Sequence, residues 1–247
     1  MPRYFLEVSY KGSNYSGFQS QKNANSIQYE VEKAFGILHK EKVILTGSSR
    51  TDAGVHALQN FFHFDFENPL HPQLVYKLNA ILPEDIVLKG IKAVNADAHC
   101  RFDAIAREYK YFIYRQKDPF LRDRAFYYPY KIDMDTLQQA AAILREYDDF
   151  TSFSKRNTQV RTFICQIQQS EWIYEDGCLI YNIKANRFLR GMVRALTATM
   201  LKVGRGTIDL NEFRRIIDAK DCTQASFAVP PHGLFLIAVE YPTTLRG

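Results

Sequence analysis

The chain has 247 residues, 46% of them hydrophobic and 24% charged, the proportions of a soluble globular protein long enough for two packed halves. Its net charge of +5 suits a nucleic-acid partner, because Lys and Arg displace the counterions of phosphates, but many proteins without such a partner are as basic. Cys100, Cys165, Cys178 and Cys222 form no C-x-x-C pair, no run of about 18 apolar residues could cross a membrane, and "MPRYFLEVSY" has no signal-peptide core; the expectation is a cytoplasmic protein without a zinc ribbon, redox dithiol or membrane span.

In chain order, "RYFLEVSY" alternates Tyr4, Leu6, Val8 and Tyr10 with other residues and predicts a strand with one buried face. "KGSNYSGFQSQKNAN" is a Gly-, Ser- and Asn-rich loop. Ile27, Val31, Ala34, Phe35 and Leu38 then fall at helical spacing, with Asn25 or Ser26 available as N-cap. "KVILTG" and "LQNFFHFDF" read as strands, the second with Phe62, Phe64 and Phe66 on one face. "PQLVYKLNAILP" reads as a short helix and "DIVLKGIKAV" as a strand.

Beyond residue 105 a second unit is expected. "AREYKYFIYR" is a strand with Tyr109, Tyr111 and Ile113 on one face, and "MDTLQQAAAILREY" an amphipathic helix. "FTSFSKRNTQVRT" is a basic polar loop, and "TFICQIQQSEWIYEDGCLIYNIKA" a hairpin turning at "EDG". "FLRGMVRALTATMLKV" and "LNEFRRIIDA" are helices, and "GLFLIAVEYP" is a closing strand. The fold class is α+β, divided into 1–105 and 106–247, without the regular strand–helix alternation of a Rossmann sheet.

Between "KVILTG" and "LQNFFHFDF" lies "GSSRTDAGVH". No phosphate-binding glycine motif and no H-E-x-x-H occurs anywhere, and the six histidines are scattered in sequence. A plain hairpin turn could account for Asp52 as a cap and Arg50 as a surface charge. The combination says more. Ala53 and Gly54 leave Asp52 open to close approach, and a cation two positions away favours its ionised form. A lone ionised carboxylate is suited to nucleophilic attack.

"RTDAGVHA" resembles the signature of the tRNA pseudouridine synthase A family, with Asp52 in the place of its nucleophile. "SYKGSNYSGFQSQ", "LNAILPEDI", "REYKY", "DFTSF", "VRT", "NRFLRGMVR" and "AVPPHGLFL" follow that family's order over nearly the whole chain. The resemblance implies the pseudouridine synthase fold, two α/β halves whose antiparallel sheets meet at a central catalytic cleft. It implies an isomerase that detaches uracil from its ribose, rotates it and rejoins it through carbon 5. The implied substrate is uridine at positions 38, 39 and 40 in the tRNA anticodon stem-loop, and the implied working form is a homodimer with no metal and no organic cofactor.

Residue by residue, Asp52 carries over as nucleophile, Tyr109 as the aromatic face for the flipped base and Arg194 as a basic residue near the site. Arg50 is expected to aim the carboxylate. Arg187, Arg190 and Arg194 would form one stripe if their helix begins near residue 187. Arg190 is then a contact for RNA phosphate or for Asp52, and Lys155, Arg156 and Arg161 are phosphate contacts. His56 is a turn residue with no assigned chemistry. Attack at the anomeric carbon and attack at carbon 6 of the uracil both stay open. A silent RNA-binding module on the same fold is the competing class, and an intact Arg50–Asp52–Gly54 turn argues against it.

Overall fold

A computed structural model describes residues 1–156 and 160–245. The chain divides into two compact units, Met1–Ile105 with Phe235–Gly247, and Ala106–Leu234. Among the described residues no helix is long and apolar enough to cross a membrane.

In the first unit, β1 (Arg3–Tyr10) is antiparallel to both β3 (His56–Asp65) and β4 (Ile86–Val94). The period-two pattern of β1 puts Leu6, Val8 and Tyr10 inside. Phe62 and Phe64 of β3, and Phe66 just past its end, are likewise buried. α1 (Ile27–His39) starts at Ser26, whose side chain accepts the Tyr29 N–H, and Phe35 packs edge-on against Phe64 at 5.2 Å. A cap of this kind contributes about 1 kcal/mol. α2 (Leu74–Asn79) lies beside β4.

Two expectations change here. "KVILTG" forms only the two-residue strand β2 (Thr46–Gly47). Leu45 gives its main-chain groups to α1 instead: its N–H donates to Glu32 Oε1 at 3.1 Å, and its carbonyl accepts from Gln28 Nε2 at 2.8 Å. The closing strand β9 (Leu234–Glu240), expected with 106–247, is counted from Phe235 with the first unit. Phe235 and Leu236 pair in parallel with His56 and Ala57 of β3.

In the second unit, β5 (Ala106–Tyr114), β8 (Cys178–Ala185) and β7 (Ile167–Glu175) form an antiparallel set in the order β5–β8–β7. The short β6 (Phe126–Tyr127) pairs in parallel with the end of β5. Asp176 and Gly177 both have positive φ, +49° and +76°, as the two-residue hairpin between β7 and β8 demands. α3 (Met134–Ile143) packs against β7 and against α4 (Met192–Gly204), and α5 (Leu210–Asp218) joins them. Tyr111, Tyr181, Leu196, Met200 and Phe213 are fully buried in this unit.

α4 begins at residue 192, later than expected. Gly191, at φ +76°, stands as its N-cap in the left-handed region, so Arg187 and Arg190 precede the helix. The stripe of three arginines is therefore not formed. Residues 157–159 of the polar loop lie outside the described residues.

Candidate active site

Asp52 opens a tight turn. Its carbonyl accepts the Val55 N–H at 3.2 Å, and Gly54 takes φ +77° at the third position, where a side chain would be strained. Asp52 is partly exposed, while Thr51 before it and Val55 and His56 after it are buried.

The main chain on the near side of Asp52 is held by side chains of β1 and β3. Asn60 is fully buried and donates to the Ser49 carbonyl at 2.9 Å and to Tyr10 Oη at 3.2 Å. The Tyr10 hydroxyl in turn lies 2.8 Å from Thr51 Oγ1. Buried polar groups persist only when paired, so this network has one arrangement that satisfies its members and resists others. Asn60, an amide inside "LQNFFHF", holds the main chain ahead of Asp52 and was not singled out from the sequence. Its signal is a polar residue in the middle of an apolar strand. Arg50 is exposed to solvent, a placement open to an anion from outside the protein.

Tyr109, Lys155, Arg156, Arg190 and Arg194 belong to the second unit. Tyr109 sits on β5, 9% exposed, with its ring at 5.1 Å and 85° to that of Phe188. Arg107 lies two residues before it on the same strand face, is also nearly buried, and donates to the Asn186 carbonyl at 3.3 Å. A buried guanidinium beside the stacking candidate was not singled out from sequence, although a charge at an inward position of "AREYKYF" is its mark.

Arg194 is half-buried on the first turn of α4. Its Nε and Nη2 donate to the Val229 carbonyl at 3.0 and 2.6 Å, which fixes the direction of the guanidinium. Arg190 and Arg156 are exposed. The Lys155 N–H donates to the Arg190 carbonyl at 3.0 Å, and the Lys155 stem runs so close to Gly191 that a Cβ there would meet it at 3.0 Å. These contacts bring Lys155 and Arg190 together ahead of α4. A cavity of about 300 Å³ is lined by Lys155 and Arg156 with Ser154, Thr223, Cys222 and Phe227.

Scattered in sequence, His63, His99 and Cys100 nevertheless bring their ligand atoms within 4.8 Å of one another in the first unit. Both imidazoles spend Nδ1 on the main chain: His63 accepts the Cys100 N–H at 3.3 Å and His99 the Arg101 N–H at 3.1 Å. In each neutral ring the proton is then on Nε2, and no lone pair is left for a cation. Burial, the largest cause, together with the neighbouring His99 and Arg3, lowers the pKa of His63 to about 4. The group fits a hydrogen-bonded cluster better than a metal centre.

A family model described as tRNA pseudouridine synthase matches residues 7–103 and 141–242. Asp52, Lys155, Arg156, Arg190 and Arg194 fall inside these blocks, and Arg107 and Tyr109 fall between them. The chain is 44% identical over 247 residues to the tRNA pseudouridine synthase A of Parabacteroides distasonis, covering 99% of this chain and 98% of that one. It is 42% identical over 250 residues to the protein of the same name from Porphyromonas gingivalis, with 99% of each covered. The Staphylococcus aureus protein of that name is 35% identical over 237 residues, covering 95% of this chain and 90% of its own. At identities of this size, sustained along nearly the whole of both chains, the chain belongs to the tRNA pseudouridine synthase family and is an isomerase acting on uridine in tRNA.

Proposed function

We propose that this enzyme converts uridines 38, 39 and 40 of the tRNA anticodon stem-loop to pseudouridine, with Asp52 as nucleophile. One observation carries the reading: within "RTDAGVHA", the main chain around Asp52 is fixed by buried partners while its carboxylate residue stays accessible. A nucleophile needs that pairing of rigidity and access.

In one route the carboxylate attacks the anomeric carbon, and the C–N bond breaks with its electron pair going to uracil N1. The uracil turns, carbon 5 bonds to the anomeric carbon, and the carboxylate leaves. In the other route the carboxylate first adds to carbon 6 across the 5,6 double bond. The C–N bond then breaks, the uracil turns and carbon 5 bonds to the anomeric carbon, and elimination of the carboxylate from carbon 6 restores the double bond. Both end with the carbon 5 proton lost and a proton gained at N1, so atoms balance without a co-substrate. A base drawn from a stem costs a few kcal/mol to unstack. Stacking on Tyr109 offsets roughly 1–3 kcal/mol of it. Arg194, its guanidinium aimed by Val229, is the cation assigned to the negative charge that develops during the reaction. Arg190, Lys155 and Arg156 are assigned to phosphates, and the exposure of Arg50 favours the same role over a carboxylate clamp.

The test is positional. Unmodified tRNA treated with the enzyme, derivatised with a carbodiimide at pseudouridine and copied by reverse transcriptase should give new stops that map to 38, 39 and 40. Stops confined to another arm of the tRNA would overturn the assignment of the stem-loop.

A further inference from the structure

We propose that His56 is a positioning residue for Asp52, acting through the loop 12–18; the inference rests on the reading of Asp52 as nucleophile. "GSNYSGF" has no part in the chemistry above, yet it grips both flanks of the Asp52 turn.

On the far flank, the Gly12 N–H donates to His56 Nδ1 at 3.0 Å. A Cβ on Gly12 would stand 2.0 Å from the Val55 carbonyl oxygen, so only glycine allows the loop so near. On the near flank, the Phe18 N–H donates to the Thr51 carbonyl at 3.2 Å. Gly17 has φ +107°, and a Cβ there would meet that same carbonyl oxygen at 3.1 Å. One loop thus touches residue 51 and residues 55 and 56, the two ends of the turn that presents Asp52.

The loop is itself anchored. The Lys11 N–H donates to the Asp85 carbonyl at 2.9 Å, Asn14 Nδ2 to Asp85 Oδ2 at 3.0 Å, and the Tyr15 hydroxyl to Asp85 Oδ1. His56 closes the frame from inside. It is 1% exposed, its ring lies 4.5 Å from that of Phe235, and its Nδ1 accepts, which only the neutral imidazole can do at that atom. A side chain serving the fold alone could sit on any strand of the sheet. This one joins the main-chain segment following the nucleophile to the loop that holds the segment preceding it. A misplacement of about 1 Å at a reacting group can cost on the order of 100-fold in rate.

Three variants test the inference in single-turnover tritium release from tRNA labelled at uracil carbon 5, alongside tRNA binding and urea unfolding. His56→Leu, folded and binding tRNA within about twofold of wild type, is expected to react roughly 10- to 100-fold more slowly at saturating tRNA. His56→Asn, whose Oδ1 falls close to the site of Nδ1 and can accept from Gly12, is expected to recover most of that loss. Should His56→Leu not fold, Tyr15→Phe carries the expectation of slowed chemistry at saturating tRNA, because it keeps the ring and releases the loop 12–18 from Asp85, and full rate in it overturns the inference. Full rate in the folded His56→Leu variant overturns the inference. So do equal losses in the Leu and Asn variants, or a defect that saturating tRNA restores. Asp52→Asn run in parallel separates the two claims: if it is inactive while His56→Leu is fully active, only the positioning role fails; if it is active, the nucleophile assignment fails first.

Discussion

The Asp52 turn and the Lys155–Arg156 segment are both short, polar and charged, and they are built in opposite ways. In the first, the carbonyls of Ser49, Thr51 and Asp52 each accept a hydrogen bond, and Thr51, Val55 and His56 are buried. In the second, Lys155 is tied through its N–H to Arg190 and its stem rests over Gly191, but Arg156 and Arg190 face solvent. The contrast suits the two tasks proposed above for these segments. Bond formation depends on ångström placement of one oxygen. Attraction between a cation and phosphate falls off slowly with distance and tolerates many geometries.

Beyond Asp52 itself, the largest expected effect is at Tyr109. Tyr109→Ala removes the stacking face and should slow single-turnover conversion by roughly 10- to 100-fold, from the 1–3 kcal/mol that stacking contributes. Tyr109→Phe should bind tRNA as wild type does, with any loss confined to turnover if the hydroxyl takes part in proton transfer. Equal behaviour of the two variants would contradict a stacking role.

The next prediction sets placed against unplaced cations. Arg194→Ala should leave tRNA binding near normal and reduce the rate at saturation about tenfold. It also removes two hydrogen bonds to Val229, so unfolding must be followed in the same samples. Lys155→Ala with Arg156→Ala should do the reverse, with weaker binding and a rate at saturation nearly intact. Its slope of log affinity against log salt should fall by about 1.4, roughly 0.7 for each lost contact. A rate for Arg194→Ala that saturating tRNA restores would make Arg194 one more phosphate contact.

The smallest effect concerns stability alone and lies apart from both loops. His63 titrates at about 4 in the folded chain against an ordinary 6.5, chiefly because it is buried. The unfolded chain therefore takes up the proton first. Stability is complete above about pH 6.5 and is lost as pH falls through the window down to about 4. Asp65, held below the usual carboxylate range by its hydrogen bonds from Arg3, adds a loss that starts below its ordinary value of 3.8. The urea midpoint should drop between pH 7.5 and 4.5, and by less in His63→Gln. An identical drop in both would remove His63 from the explanation.

How much of this was legible in the sequence depends on where the deciding partner lay. β1, β3, β5 and the β7–β8 hairpin follow from local alternation and from the Asp-Gly turn, which need no distant partner. "KVILTG" misled because Leu45 bonds to Gln28 and Glu32, side chains of a helix many residues earlier. The stripe of Arg187, Arg190 and Arg194 misled because one left-handed glycine, Gly191, sets where α4 starts. At the site, Asp52 announced itself through its motif. Asn60, Tyr10 and Gly12 did not, since their contacts with Ser49, Thr51 and His56 cross from strand to loop and leave no spacing to read. Likewise His63, His99 and Cys100 converge only once β3 is folded beside the segment after β4.

The contrast between the two loops depends on Asp52 being the group that attacks. Asp52→Asn keeps the size of the side chain and removes its nucleophilic oxygen. In single-turnover assays on tRNA tritiated at uracil carbon 5, the folded variant should bind tRNA as wild type does and release no tritium above background. Release at more than about a tenth of the wild-type rate would contradict the assignment of Asp52 as nucleophile.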